Sequence, residues 1–320
     1  MTEAEMDLLL SHLYGALYLF ISLASILMNG ILIILLVRQK SRNTFAVLLL
    51  GLCSVDFFMS ASGTFITGLA YLVGSYLLRF PVCQVQGVVM TFSGLSQIAV
   101  LSSISFTRYV IITNPNFKLR ACHARRILYG CYGYCLAVAL CPVLGWNTYL
   151  PNEAGVSCEP VWDSNSRGDR SFNIFMIVTC FLFPLLIICV SYSKIILAVK
   201  RQSKLHTRSR KLHVSYTILI MIAFFLLSWA PYTIYAVHQM TTNTLSMGYK
   251  TVSVPGLFAK SSAMWNPLIY FLRDSEFRKM CRQRCGFYNF FFAKRRSVNL
   301  TRKDTTLQTL VSSPDRKSQV

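Results

Sequence analysis

The stretch VPGLFAKSSAMWNPLIYFL, residues 254–272, places one lysine, Lys260, in the middle of a long apolar run. An ammonium group at the depth of a lipid bilayer is costly unless it has a partner or a chemical purpose. Apolar surroundings favour the neutral amine, which is a nucleophile towards carbonyl groups and condenses with aldehydes to give Schiff bases. The stretch therefore predicts either an ion-paired lysine or a covalent attachment site inside a membrane helix.

The rest of the chain is also too apolar for a soluble domain of 320 residues. Hydrophobic residues make up 54% of it and charged residues only 14%, against roughly 25% charged in soluble proteins. The apolar residues form blocks of about 20 or more, long enough to span a bilayer as helices. Seven such blocks lie at 12–37, 45–70, 83–111, 124–146, 172–198, 212–237 and 252–272. We therefore predict an all-α membrane protein, with residues 1–11 as a short amino-terminal segment and residues 12–272 as a seven-helix transmembrane bundle.

Basic residues are concentrated in alternate loops. They cluster after the first, third and fifth blocks, as Arg38, Lys40 and Arg42, then Lys118, Arg120, Arg125 and Arg126, then Lys200, Arg201, Lys204, Arg208, Arg210 and Lys211. By the positive-inside rule the amino terminus is extracellular and the carboxyl-terminal tail is cytoplasmic. The net charge of +20 is then mostly a property of the cytoplasmic face, so a nucleic-acid partner is not expected.

Two cysteines differ in setting from the others. Cys83 opens the third block and Cys158 lies in the loop after the fourth, both on the outer side of the predicted bundle. That side is the oxidising compartment, so we expect a disulfide between them. It would tie the loop over the mouth of the bundle.

The segment after the seventh block changes in character. Residues 273–285 predict a short amphipathic eighth helix on the inner membrane surface. Within it, Cys281 and Cys285 are either palmitoylation sites or unmodified thiols. Residues 286–320 predict a disordered cytoplasmic tail. Its end, with Ser318 and Val320, fits the pattern of a ligand for a PDZ protein, although such short patterns also arise by chance.

Six of the seven blocks also contain a short polar or proline motif. In chain order these are Asn29-Gly30, LGLCSVD ending at Asp56, TRYVIIT with Arg108, Pro184 followed by Tyr192, SWAPY with Trp229 and Pro231, and NPLIY from Asn266 to Tyr270. Together the motifs resemble those of the rhodopsin-class G-protein-coupled receptors. Moreover, FAKSSAMWNPLIY resembles the opsins, whose retinal-attachment lysine stands six residues before the asparagine of the last motif, as Lys260 stands before Asn266.

The resemblance implies a non-visual opsin, a light-sensing receptor of the plasma membrane that binds 11-cis or all-trans retinal as a Schiff base on Lys260. Its partners would be a heterotrimeric G protein and, through hydroxyls of the tail, a receptor kinase and arrestin. It would not be an enzyme. The segment GDRSF, 168–172, is similar to peropsins, neuropsins and retinal-photoisomerase opsins. The alternative function is therefore a photoisomerase that converts all-trans to 11-cis retinal with little signalling.

The resemblance also implies a retinal pocket between the helices. Trp229, close to the proline hinge at Pro231, is expected to form its floor. Small residues on the third helix would leave room for a long polyene, or would simply allow close helix contacts. The predicted pocket residues are Trp229, Tyr232, Gln86, Gly87 and Gly94.

A protonated Schiff base is a buried cation and requires a carboxylate within about 4 Å. Of the 12 acidic residues, those outside the amino-terminal segment and the cytoplasmic side are Asp56, Glu153, Glu159, Asp163 and Asp169. The positions at which other opsins have the counterion hold amides here, Gln86 and Asn152. We therefore expect Glu153, next to Asn152, to serve if the loop shifts by one residue; otherwise it is an exposed glutamate without a role. With no acid near Lys260, the Schiff base would be unprotonated and absorb in the ultraviolet.

Two further groups correspond to the receptor switch. Arg108, Tyr192, Asn266, Pro267 and Tyr270 match the family's G-protein switch, although Thr107 replaces the usual acid before the arginine. A second group, Asn29 and Asp56 with Asn266, is expected to form an intramembrane cluster that shares water or sodium, or a static polar contact between helices. No metal cofactor is predicted.

Overall fold

The computed structural model describes residues 3–39, 43–74, 79–114, 116–201, 208–242, 248–274 and 278. The described residues up to Tyr270 form one compact unit, and the few described residues from Phe271 onward are assigned to a second. The predicted amphipathic helix, apart from residues 273, 274 and 278, and the whole predicted tail lie outside the described residues. The predictions for Cys281, Cys285, Ser318 and Val320 lie there as well.

The described chain forms seven helical rods, two of which contain a π-helical segment. They are α1 (Glu3–Val37), α2 (Thr44–Phe58) continued through Met59–Thr64 into α3 (Phe65–Val73), α4 (Val82–Thr113), α5 (Ala121–Leu140), α6 (Arg167–Met176) continued through Ile177–Leu182 into α7 (Phe183–Arg201), α8 (Arg208–Thr242) and α9 (Gly248–Arg273). The predicted all-α, seven-helix architecture is confirmed.

Five stretches within the described residues are long and apolar enough to cross a membrane. They are Glu5–Val37, Thr44–Val73, Val82–Thr113, Arg167–Ala198 and Val214–Thr242. The other two rods are α5, whose first turns contain Arg125 and Arg126, and α9, which contains Lys260. Packing of α5 against α2 and α4 places it in the same bundle. Hydrogen bonds from Asn29 to Ala263 and from Asn266 to Asp56 place α9 there too.

Helix boundaries follow local chemistry, and two of them differ from the predictions by more than five residues. The first helix begins at Glu3 rather than at residue 12, because its first turns contain no proline or glycine and their acidic side chains suit a helix amino terminus. The helix predicted for 124–146 ends at Leu140, because Pro142 follows and Gly145 adopts a positive φ of 97°. Because this helix ends early, the residues that follow it can form a hairpin on the outer side.

That hairpin consists of β1 (Tyr149–Pro151) and β2 (Cys158–Pro160), which pair antiparallel with Pro151 opposite Cys158. The predicted disulfide between Cys83 and Cys158 is present and joins β2 to the start of α4. The ring of Tyr149 is fully buried, and its hydroxyl donates to the carbonyl of Ala139 at 2.8 Å. The hairpin is thus fixed to the bundle at both strands.

Candidate functional site

A cavity lies between the helices and the hairpin, and Lys260 of α9 lines it. The lysine is buried, with 7% of its surface exposed. Its Nζ donates to Ser157 Oγ at 3.1 Å and lies 5.6 Å from the centroid of the Tyr18 ring. The group hydrogen-bonded to the amine is therefore a hydroxyl rather than a carboxylate.

The remaining lining is mostly apolar and aromatic. It includes Met90, Trp162, Met176, Phe181, Phe225, Trp229 and Tyr232. Trp229 and Tyr232 meet edge to face with ring centroids 5.9 Å apart. A cavity of this kind, with one amine among aromatic and sulfur side chains, suits an elongated apolar ligand that bears a carbonyl group.

Gly94 also lines the cavity, but its role differs from the one first expected. A Cβ added to Gly94 would lie 2.6 Å from Cη2 of Trp229, so the glycine makes room for the indole. The indole Nε1 donates to Ser262 Oγ at 3.2 Å. Gly94 therefore sets the position of Trp229 between α4 and α9.

Two of the predicted pocket residues, Gln86 and Gly87, do not line this cavity. Gln86 accepts from the backbone N–H of Cys158 at 2.8 Å and donates to Thr67 Oγ1 at 3.2 Å, so it fastens β2 to the helices. A Cβ on Gly87 would clash with the ring of Tyr149. For both residues the prediction is wrong, because the hairpin occupies the space that we had assigned to the ligand.

Glu159 of β2 lines the cavity with Lys260. Its Oε2 accepts a hydrogen bond from the hydroxyl of Tyr232. Burial raises the pKa of the Glu159 carboxyl above its ordinary value of 4.5, while the hydrogen bond from Tyr232 and the charge of Lys260 act in the opposite direction. Glu159 is thus an acid on the ligand side of the hairpin.

The structure does not favour Glu153 for this position. One of its carboxylate oxygens accepts from Gln239 Nε2 at 3.1 Å, and the residue is absent from the cavity lining. The neighbouring Asn152 closes the turn, because its N–H donates to the carbonyl of Ser157 at 2.7 Å and its side chain accepts from the N–H of Val156. This turn prevents the shift of one residue that the prediction for Glu153 required.

A chain of hydrogen bonds leads from the cavity floor towards the other half of the bundle. Ser262 Oγ, which accepts from Trp229, donates to Gln97 Oε1 at 3.2 Å. Gln97 Nε2 donates to Asp56 Oδ1 at 2.6 Å, and Asn266 Nδ2 donates to Asp56 Oδ2 at 2.9 Å. Two amides therefore occupy the two oxygens of Asp56, where we had expected water or sodium.

The side-chain amide of Asn29 donates to residues of α1 and α9 rather than to Asp56. Its Nδ2 donates to Ser25 and to the carbonyl of Ala263 at 3.0 Å, so it joins α1 to α9. Its Oδ1 is buried without a protein partner, as is Oδ1 of Asn266. Buried acceptors of this kind are commonly satisfied by water.

Three of the predicted switch residues, Arg108, Tyr192 and Tyr270, lie near one another. The Arg108 guanidinium carbon stands 4.3 Å from the centroid of the Phe45 ring, and Tyr192 and Tyr270 lie in its neighbourhood. The Tyr192 hydroxyl donates to the carbonyl of Ser215 at 3.0 Å. Pro267 lies inside α9 beside Asn266. The arginine is thus stacked on an aromatic ring of α2.

Sequence reasoning missed Ser157 and Gln97, and it preferred Glu153, which does not line the cavity, to Glu159, which does. Elimination had retained Glu159 as one of five acids. The sequence did contain a signal that favoured Glu159, namely its position next to Cys158. The disulfide of Cys158 holds that point of the loop against the bundle. Gln97 offered a weaker signal, an amide within an apolar span.

Comparison with known proteins agrees with this geometry. The profile of the 7 transmembrane receptor (rhodopsin family) matches residues 28–270. The chain therefore belongs to that family and is a multi-pass membrane protein.

Several proteins of similar sequence are opsins. The chain is 31% identical to pineal opsin of Petromyzon marinus over 247 residues, 75% of this chain and 56% of that protein. It is 29% identical to Opsin-VA of Rutilus rutilus over 245 residues, 74% of this chain and 64% of that protein. The match thus spans less than two thirds of either relative. Squid rhodopsin shares the fold, with a TM-score of 0.82 at 22% identity, over 88% of this chain and 87% of the other.

Proposed function

We propose that the protein is a light-sensing G-protein-coupled receptor that holds retinal covalently on Lys260. One observation carries the proposal: a buried lysine amine opens into an apolar, aromatic-lined cavity beneath a disulfide-anchored hairpin. The lining fits an apolar polyene aldehyde, since the amine is the nucleophile and the aromatic rings supply apolar contact. Retinal, when bound, supplies light absorption and a change of shape.

Different residues of this chain would attach the ligand, orient the attachment site and respond to the ligand's shape. The Nζ of Lys260 forms the bond, and Ser157 orients it through their hydrogen bond. Trp229 and Gly94 form a closely packed floor, so a ligand that changes shape presses on the indole. From the indole, hydrogen bonds through Ser262 and Gln97 reach Asp56.

The same polar chain supports a signalling role. Asp56 is bonded to Asn266, which precedes the helix-kinking Pro267 of α9. The switch residues Arg108, Tyr192 and Tyr270 lie on α4, α7 and α9, whose rearrangement would open a surface for a heterotrimeric G protein. The distribution of basic loops supports an orientation with the amino terminus outside, and membership of a receptor family favours the plasma membrane. Arrestin, a receptor kinase and a PDZ protein stay predicted partners of the tail.

The test is to load purified protein with 11-cis or all-trans retinal in darkness and to record absorbance and nucleotide exchange on a panel of G proteins. We expect a retinal-dependent absorbance band that light changes, and nucleotide exchange only after illumination. Lys260→Ala, prepared in parallel, should show neither.

Two other results would change the assignment. Uptake of all-trans retinal with accumulation of the 11-cis isomer in light, and no nucleotide exchange, would make the protein a photoisomerase. A wild-type protein that forms no pigment with either isomer would refute the opsin function itself.

A further inference from the structure

The hairpin brings two functional groups to Lys260, and they are only two residues apart in the chain. Ser157 is hydrogen-bonded to the amine, and Glu159 contributes a carboxylate to the same cavity. Cys158 stands between them and is fixed to α4 by its disulfide and by the hydrogen bond from its N–H to Gln86. The acid is therefore anchored at the cavity, whereas a free loop would let it move into solvent.

Among the described residues, the other outer or intramembrane acids are held elsewhere or exposed. Asp56 is bonded to two amides and Glu153 to Gln239. Asp169 accepts a hydrogen bond from Ser164, and Asp163 is exposed to solvent. None of these four lines the cavity, and Glu159 does.

Two neighbours of Glu159 favour its anionic form against the larger effect of burial, which raises the pKa of the carboxyl. Tyr232 of α8 donates a hydrogen bond to its carboxylate, which favours the ionised form, and so does the positive charge of Lys260. Burial has the opposite effect. The titratable groups that face Glu159 are Tyr18 of α1, Glu153 of the hairpin turn, Tyr232 and Tyr235 of α8, and Lys260 of α9.

We propose that Glu159 is the counterion of the cationic nitrogen of Lys260, and that Tyr232 positions its carboxylate. This inference rests on the proposed function, because a permanent cation at Lys260 requires the retinal adduct. It predicts a protonated linkage at neutral pH. The sequence had left an unprotonated, ultraviolet-absorbing linkage open, since amides occupy both of the usual counterion positions.

The test compares Glu159→Gln with Glu153→Gln, which removes the same charge from the same hairpin. Each protein is loaded with retinal and titrated from acid to alkali while its absorbance is recorded. For wild type and Glu153→Gln we expect a visible band at neutral pH. For Glu159→Gln the pH at which the visible band is lost should fall by about 1–3 units, the usual effect of removing a nearby opposite charge.

Tyr232→Phe should lower the same midpoint by a smaller amount, because the acid is kept and only its hydrogen bond is lost. Addition of chloride should return the visible band of Glu159→Gln by supplying another anion. An unchanged midpoint in Glu159→Gln, or a fall of equal size in Glu153→Gln, would overturn the proposal.

Borohydride reduction separates this result from the larger proposal. If wild type and Glu159→Gln both give an adduct on Lys260 but share one titration midpoint, only the counterion assignment fails. If wild type gives no adduct, the proposed function fails.

The apoprotein supplies a second readout that needs no retinal. The pKa of the Glu159 carboxyl is raised above its ordinary value of 4.5 in the folded state. The stability that this carboxyl contributes is therefore fully present below pH 4.5 and is lost as the pH rises through the raised pKa. Melting temperature should therefore fall over this range more in wild type than in Glu159→Gln. Equal curves for the two proteins would count against a buried, cavity-facing carboxyl.

Discussion

Lys260 and Asp56 are both buried charged residues of the same bundle, yet their surroundings are opposite. Asp56 is completely buried and both of its oxygens accept hydrogen bonds from amides, at 2.6 and 2.9 Å. Lys260 has one hydroxyl, at 3.1 Å, and opens into a cavity. A charge at mid-membrane costs about 2.5–3.5 kcal/mol or more, so its partners show what it is for. Asp56 is satisfied by the protein, whereas Lys260 is left available for reaction.

The two sites are nevertheless connected. Trp229 lines the cavity of Lys260, and its indole is the first member of the hydrogen-bonded chain that ends at Asp56 and Asn266. The contrast therefore separates a reaction site from the network that would transmit its state. Substitutions at each site should have different kinds of effect.

The largest effect is expected from Lys260→Ala, which should abolish covalent pigment completely. The apoprotein should melt at or above the wild-type temperature, because the substitution removes a charge with few partners. Lys194→Ala, which removes an exposed lysine from α7, is the control and should keep the full pigment. Absorbance and thermal melting measure both outcomes. A strongly destabilised Lys260→Ala apoprotein would show that the lysine is structural, like Asp56.

Asp56→Ala should do the reverse and lower stability without removing the attachment site. The amides of Gln97 and Asn266 would lose their acceptor, at a cost of about 2–3 kcal/mol. Asp163→Ala, at an exposed acid, should change stability by less than about 0.5 kcal/mol. Thermal melting in detergent compares them. Equal melting temperatures would mean that the two amides do not depend on Asp56.

Gly94→Ala tests the packing of the floor. Its Cβ would meet Trp229 at 2.6 Å, so the indole must move, at a cost of about 1–3 kcal/mol. In Gly130→Ala the new Cβ meets nothing within 4 Å, and a helical alanine is the better residue there. We expect Gly94→Ala alone to reduce thermal stability and retinal uptake. Identical behaviour of the two variants would contradict the close contact with Trp229.

The smallest change in stability is expected from Ser262→Ala, which interrupts the chain between Trp229 and Gln97. Intramembrane hydrogen bonds average about 0.6 kcal/mol each, so stability should fall only slightly and retinal uptake should persist. Light-dependent nucleotide exchange should decrease. Ser261→Ala is the neighbouring control, since Ser261 bonds to Trp265 and the carbonyl of Phe258, outside this chain. Normal exchange in Ser262→Ala would mean that the chain does not transmit the signal.

Much of this fold follows from the sequence. Seven apolar blocks of sufficient length predicted the helices, and the oxidising side of the membrane predicted the bond between Cys83 and Cys158. Helix ends were less predictable. Glu3 and Leu140 mark boundaries that depend on local acidic, proline and glycine residues more than on apolar length.

The site was predictable where a residue is defined by its own chemistry, as Lys260 is by its charge. The site was not predictable where the place of a residue depends on how distant segments of the chain pack against each other. Glu159 reaches the cavity because a hairpin folds inward, and Gln86 and Gly87 are excluded from it because that hairpin and its Tyr149 fill the space. Gln97 of α4 is hydrogen-bonded to Asp56 of α2, although the two residues are 41 positions apart in the chain.

The most direct test of the central claim is peptide mapping of retinal-loaded protein after borohydride reduction in darkness. We predict one reduced retinal adduct, on the peptide that contains Lys260, and none in Lys260→Ala. An adduct that persists in Lys260→Ala, or retinal that is bound but never covalently trapped, would contradict the account.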